Sequence, residues 1–134
     1  DKSVVALMIE KKSAVEDLEA LLSVPGVDMT QFGPADFSNS IDRPGEWEHP
    51  EVLEAERYVI ETSLKMGVAP RAEVDTPEQA RKYLEMGVKH FCVGTDVSIL
   101  YNWFRDSGGG FNELLGRDSP GESGEHGGYG GAGD

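Results

Sequence analysis

The chain has 134 residues, with 12 Lys and Arg against 25 Asp and Glu, giving a formal charge of −13 at pH 7. That length allows one domain whose core can fold unaided, and the charge excludes a nucleic-acid or anionic-membrane surface, since both need clustered cations. The single cysteine, Cys92, excludes an internal disulfide framework and a cysteine-rich zinc site, and inside its apolar run it reads as a buried thiol. No apolar run approaches the ~20 residues of a spanning helix and nothing resembles a signal h-region, so a cytoplasmic location is the default expectation. The start at Asp1, almost directly ahead of a strand, reads as that of a fragment or a processed piece.

In chain order, residues 3–9 form a short continuous apolar run of the kind expected for a buried parallel strand, and Glu10 ends it. Ser13-Ala14-Val15-Glu16 has the capping-box pattern, and Val15, Leu18, Leu21 and Leu22 repeat at helical spacing until Pro25-Gly26. Residues 27–32 read as a second strand broken by Gly33-Pro34. Residues 35–47 read as a loop, with Asn39, Asp42, Pro44 and Gly45 as turn formers. A loop of that length in a compact domain tends to be functional. Pro50 suits a first helical turn, and Val52, Leu53, Ala55, Val59, Ile60 and Leu64 line a helix that Gly67 closes.

Residues 68–74 are the third expected strand, more polar than the others because of Arg71 and Glu73. Thr76-Pro77-Glu78-Gln79 is a strong helix start and Gly87 a stop, after which residues 88–93 form the fourth strand. Gly94-Thr95-Asp96 leads into a last helix with Val97, Ile99, Leu100, Trp103 and Phe104. From Ser107 the pattern dissolves into glycine-rich sequence that cannot repay the entropy of ordering. A short turn at residues 111–115 and disorder beyond Gly116 are expected.

This is an α/β chain of four consecutive βα units with parallel strands. Such a run is equivalent either to the second half of a (β/α)8 TIM barrel or to a small open sheet, and periodicity alone does not separate them.

Three segments carry a family resemblance: Met8-Ile9-Glu10-Lys11-Lys12, Phe32-Gly33-Pro34-Ala35-Asp36-Phe37-Ser38, and His49-Pro50-Glu51-Val52. With residues 83–87 and 91–96 they make the chain resemble the HpcH/HpaI aldolases, metal-dependent pyruvate-using enzymes of the phosphoenolpyruvate/pyruvate TIM-barrel group. The likeness covers residues 3 to about 106 and implies that residues 1–106 are the C-terminal half-barrel of an aldolase-type domain, with 107–134 as a Gly-rich tail. It further implies that Glu10 and Asp36 hold a divalent metal (Mg²⁺, Mn²⁺ or Co²⁺). Gly33, Pro34, Ala35 and Asp36 would form the substrate-binding segment, its backbone N–H groups receiving the pyruvate carboxylate.

The activity implied is that of a carbon–carbon lyase acting on 4-hydroxy-2-oxo acids, with pyruvate or a 2-oxo acid and an aldehyde as partners. The residue types agree with that chemistry. Neighbouring parallel strands lie about 4.8 Å apart, so acids ending two of them can converge on one hard cation that keeps open positions.

Three departures stand out. Met8 occupies a position where relatives often carry Gln, and Arg71 and Glu73 replace apolar residues expected near the pyruvate methyl. The family's keto-polarising arginine and catalytic histidine belong to the other half of the barrel and have no match here.

Other residues have plainer readings. Arg71 is a catalytic candidate, but pairing with Glu73 or a neighbouring acid is the stronger expectation. His49 reads as a helix cap, His90 as a packed strand residue, Lys11 and Lys12 as solvated, and Trp47, Trp103 and Phe104 as packing or subunit-contact aromatics. Two classes of function remain open. One is half of an aldolase, working as a homo-oligomer or with the missing N-terminal half. The other is a non-catalytic half-barrel or open-sheet fragment that acts by associating with a partner chain, since four unclosed strands leave two sheet edges.

Overall fold

The computed structural model describes residues 3–117. Their elements run β1 (Ala6–Ile9), α1 (Lys12–Glu16), α2 (Leu18–Leu22), β2 (Met29–Phe32), α3 (Pro34–Ser40), α4 (Pro50–Met66), β3 (Ala69–Val74), α5 (Pro77–Met86), β4 (His90–Val93) and α6 (Asp96–Leu114). The strands form one parallel sheet in the order β1-β2-β3-β4. Consecutive order has a physical consequence. Right-handed crossovers that always step the same way place every connecting helix on one face of the sheet. A doubly wound open sheet would instead reverse its order partway along, so the arrangement is that of half a barrel.

Alternation along the strands supplies the core. Ile9 and Phe32 turn to the helix side and join Leu18, Leu22, Phe37, Val52, Ala55, Val59 and Val68 in one buried cluster. Ala72 and Val74 of β3 join Ile60, Tyr83 and Val88 in a second. Helix α4 feeds both clusters and lies against β2 and β3. Each fully buried aliphatic side chain contributes about 1.5–3 kcal/mol. The same face holds a polar tie. The Ser63 hydroxyl donates to Val59 O at 2.6 Å, which commits its one hydrogen, so Thr30 Oγ1 donates to Ser63 Oγ at 2.8 Å.

Helix ends follow local rules at several points. Thr76 and Gln79 complete a capping box, and His49 Nδ1 accepts the Glu51 N–H at 3.3 Å. Gly67 and Gly87, with φ of 77° and 100°, close α4 and α5, and the next residues, Val68 and Val88, are buried.

Three local expectations are corrected. Ser13 does not cap; it lies inside α1, whose N-cap is Lys11 and whose Lys12 N–H is taken by Ser40 Oγ. Of residues 35–47, expected as loop, 35–40 belong to helix α3, because Pro34 fits its first position and Phe37 buries against Phe32. Helix α6 does not stop at Ser107 but continues through Gly108-Gly109-Gly110. Its stop is Gly116 at φ 64°, with Gly116 N–H donating to Glu113 O and Arg117 N–H to Asn112 O, a paired closure that satisfies the last carbonyls. The disorder expected further along falls on residues 118–134, outside the described residues.

The chain divides into two compact units, the first ending at Cys92 and the second starting at Val93. Within the second, α6 starts at a Thr95 cap and exposes Val97, Leu100, Trp103, Phe104 and Leu114. Its Trp103 and Phe104 rings meet edge to face at 4.9 Å. Among the described residues no helix is long and apolar enough to cross a membrane.

Candidate metal and carboxylate site

The site is assembled where β1 and β2 end. Pairing of Ile9 with Phe32 brings the next residues, Glu10 and Gly33, side by side, and Gly33 N–H donates to Ile9 O at 3.0 Å. Gly33 has φ −110°, a conformation open to any residue, so glycine is not needed there for backbone freedom. It is needed for space. A Cβ at position 33 would stand 3.0 Å from Glu10 Cβ, 3.2 Å from Glu10 Oε2 and 3.5 Å from Met8 Cε. The Glu10 carboxylate therefore leans across the bare backbone of Gly33, towards the start of α3.

Helix α3 brings the second acid. Gly33 is its N-cap and has no side chain to offer, Pro34 has no N–H, and the first-turn N–H groups of Ala35 and Asp36 have no side-chain cap. Asp36 is exposed in that first turn. The helix is pinned from below by the Phe32–Phe37 ring contact at 5.1 Å. At its far end, Lys12 N–H donates to Ser40 Oγ at 3.0 Å, tying the loop after β1 to α3. Glu10 and Asp36 then wall one open cleft of about 700 Å³, together with Lys12, Asn39 and Ser40.

Among the described residues, no three His, Cys, Asp or Glu side chains are grouped to share a metal. A two-carboxylate donor set fits a hard cation that keeps water or substrate oxygens in its remaining positions. The room that Gly33 leaves for the Glu10 carboxylate fits it too.

The other face of the sheet carries a polar chain that sequence reasoning missed. Gln31, with only 4% of its surface exposed, points away from the helices. Arg71 Nε donates to Gln31 Oε1, and Gln31 Nε2 donates to Glu73 Oε2 at 3.3 Å. Arg71 is thus held by Gln31 and reaches Glu73 only through it, a correction to the expected direct pairing. The signal was a glutamine inside an apolar run, two residues before Gly33. His90 is exposed rather than packed, and Cys92 is a half-buried free thiol. Lys11 and Lys12 are solvated. Gly33, Pro34, Ala35 and Asp36 meet Glu10 at one junction, whereas Arg71 lies a strand further on.

Residues 1–102 match the model of the HpcH/HpaI aldolase/citrate lyase family. A 4-hydroxy-2-oxo-heptane-1,7-dioate aldolase of Escherichia coli is 35% identical over 100 residues, which cover 75% of this chain and 38% of that protein. An HpcH/HpaI aldolase from Desulfitobacterium hafniense superposes with a TM-score of 0.76 at 29% identity, over 86% of this chain and 45% of the other. An HpcH/HpaI aldolase/citrate lyase family protein from Burkholderia cenocepacia gives 0.74 at 30% identity, over 85% and 43%. The chain spans less than half the length of each, and what it shares with them is one half of a TIM-barrel-type architecture. It belongs to the HpcH/HpaI aldolase/citrate lyase family.

Proposed function

We propose that this chain supplies the metal and carboxylate site of a carbon–carbon lyase that cleaves or forms 4-hydroxy-2-oxo acids. The observation that carries the reading is the Glu10 carboxylate lying over side-chain-less Gly33, in one cleft with Asp36. Glu10 and Asp36 would hold a divalent cation, Mg²⁺, Mn²⁺ or Co²⁺. Bound there, the cation would draw electron density from the keto oxygen of a 2-oxo acid and ease loss of the C3–C4 bond electrons towards C2.

The chain's own residues do the rest of the positioning. The Ala35 and Asp36 N–H groups, left uncapped at the start of α3, receive the 2-oxo acid carboxylate. Pro34 removes a competing donor and stiffens the turn. Gly33 keeps the floor low enough for acid and substrate to approach together. The aldehyde partner would enter from the open side of the cleft. The remaining groups of the reaction, and the cover for the helix-free face, would come from the rest of a complete barrel or from another copy in a homo-oligomer.

The test is metal-dependent exchange of pyruvate methyl protons for deuterium by the full-length protein, alongside Mn²⁺ binding. Glu10→Ala and Asp36→Ala should each lower Mn²⁺ affinity by about tenfold or more and remove the exchange. Exchange that survives both substitutions would sink the assignment.

A further inference from the structure

The two acids of the site ride on different elements, and a pair of hydrogen-bonded ties fixes those elements to each other. Glu10 follows the end of β1, and Asp36 sits in the first turn of α3. The inner tie is a backbone one, Gly33 N–H donating to Ile9 O at 3.0 Å, just before each acid. It joins the strand ends but does not reach the turn that follows Glu10. The outer tie does. Lys12, two residues beyond Glu10, donates its N–H to Ser40 Oγ at 3.0 Å. Ser40 lies one helical turn beyond Asp36 on the same face of α3. Lys12, Ser40, Glu10 and Asp36 all line one cleft.

The outer tie has a fixed direction and a firm base. Lys11 is the N-cap of α1, so the Lys12 N–H is one of the first donors of that helix and has no acceptor within it. The single hydroxyl hydrogen of Ser40 is committed to Phe37 O at 2.7 Å, so towards Lys12 the Ser40 oxygen accepts. Phe37 is buried, and its ring lies against Phe32. A continuous chain of contacts thus runs from the core through Phe37 and Ser40 to the turn that carries Glu10.

Ion size is what such a frame can read. Mg²⁺ demands oxygens at about 2.0–2.1 Å in near-ideal octahedral geometry, whereas Ca²⁺ takes more of them at about 2.3–2.6 Å in a looser arrangement. Carboxylates on elements tied at both ends of the cleft cannot spread to suit the larger ion; tied at the inner end alone, they can. We propose that Ser40 is a positioning residue that holds the Glu10 turn against α3, and so makes the site select a small octahedral cation over Ca²⁺. The inference rests on the proposed function, since it takes Glu10 and Asp36 as the metal ligands.

The experiment loads the full-length protein with Mn²⁺ and follows its release by electron paramagnetic resonance as Mg²⁺ or Ca²⁺ displaces it, which puts both affinities on one scale. The native protein should bind Mg²⁺ more tightly than Ca²⁺. Ser40→Ala removes the acceptor without lowering helix propensity, and should shift the Mg²⁺/Ca²⁺ affinity ratio towards Ca²⁺ by about threefold or more, the scale of one hydrogen bond. Ser40→Thr, which keeps the hydroxyl, should hold the native ratio. A role confined to stability would weaken both ions alike, so an unchanged ratio in Ser40→Ala overturns the inference. A ratio that Ser40→Thr loses as fully as Ser40→Ala overturns it too, as does a native protein that binds Ca²⁺ as tightly as Mg²⁺. In each of those cases, loss of Mn²⁺ binding in Glu10→Ala and Asp36→Ala leaves the metal site standing. Mn²⁺ binding that survives both of those substitutions, or is absent from the native protein, overturns the proposed function and the inference together.

Discussion

The two faces of this sheet solve opposite problems. On the helix side the buried strand residues meet partners of matching chemistry. Ile9 and Phe32 meet leucines and valines of α2 and α4, and Thr30 meets Ser63. On the other side, Met8 and Glu73 stay exposed, and Gln31 spends both ends of its amide on Arg71 and Glu73. One face is finished by apolar burial, which is forgiving about which hydrophobe fills a space. The other is organised by hydrogen bonds that fix the direction of each group. Stability should therefore reside on the first face and recognition on the second.

That division can be broken from either side. The largest effect is expected from Leu18→Ala, which empties a fully buried position and should cost about 3 kcal/mol in urea unfolding while leaving Mn²⁺ affinity of the folded protein unchanged. Gly33→Ala should do the reverse. Its Cβ displaces the Glu10 carboxylate, so Mn²⁺ affinity measured by calorimetry should fall about tenfold or more, with only a small change in the unfolding midpoint. A Gly33→Ala protein that binds Mn²⁺ normally would mean the close approach of Glu10 has no functional weight.

Smaller effects sharpen the picture on the helix side. Thr30→Val removes the donor to Ser63 and should cost about 1–2 kcal/mol, again without touching the ion. Tyr83→Phe should cost about 1 kcal/mol by releasing Glu56, which accepts the Tyr83 hydroxyl at 2.7 Å between α5 and α4. Tyr83 also carries a pH signature. Burial, reinforced by the Glu56 carboxylate, pushes its phenol well above the ordinary value of 10.0. The protonated phenol is thus favoured in the fold, so its stabilisation is complete below pH 10 and declines as pH rises above it, where the unfolded chain ionises first. Unfolding followed across that range should show the decline in the native protein and lose it in Tyr83→Phe.

What the sequence made legible follows the same division. The helix side is written in local rules: apolar periodicity, the Thr76–Gln79 box, and glycines at 67 and 87 that end helices where expected. Glu10 and the Gly33–Asp36 segment could be singled out because acids and helix breakers at strand ends are local signals too. The misreadings came where a distant partner decided the outcome. Lys12 gives its N–H to Ser40, twenty-eight positions on; residues 35–40, by contrast, joined a helix through a near contact, Phe37 against Phe32. Gln31 was invisible as a functional residue because its partners lie forty and forty-two positions away and are brought close only by strand pairing. Glycines 108–110 misled for a different reason. Their cost of about 1 kcal/mol each relative to alanine is real, yet the Thr95 cap and the Gly116 closure bracket them inside one helix.

The glycine–valine closures at Gly67-Val68 and Gly87-Val88 have a consequence for how such a protein can be altered. Each turn is a stop and an anchor at once, because the residue that leaves the helix is immediately buried. No slack remains in those two turns, and an added residue in either would throw the next strand out of phase with its neighbours. Elsewhere, residues 41–49 separate α3 from α4 and include Asp42 and Gly45 at positive φ. Extra length between Asp42 and Gly45 would be absorbed without disturbing a strand. The molecule thus has two tight turns that keep the register of β3 and β4, and an editable connection after α3 where new segments can be spliced in.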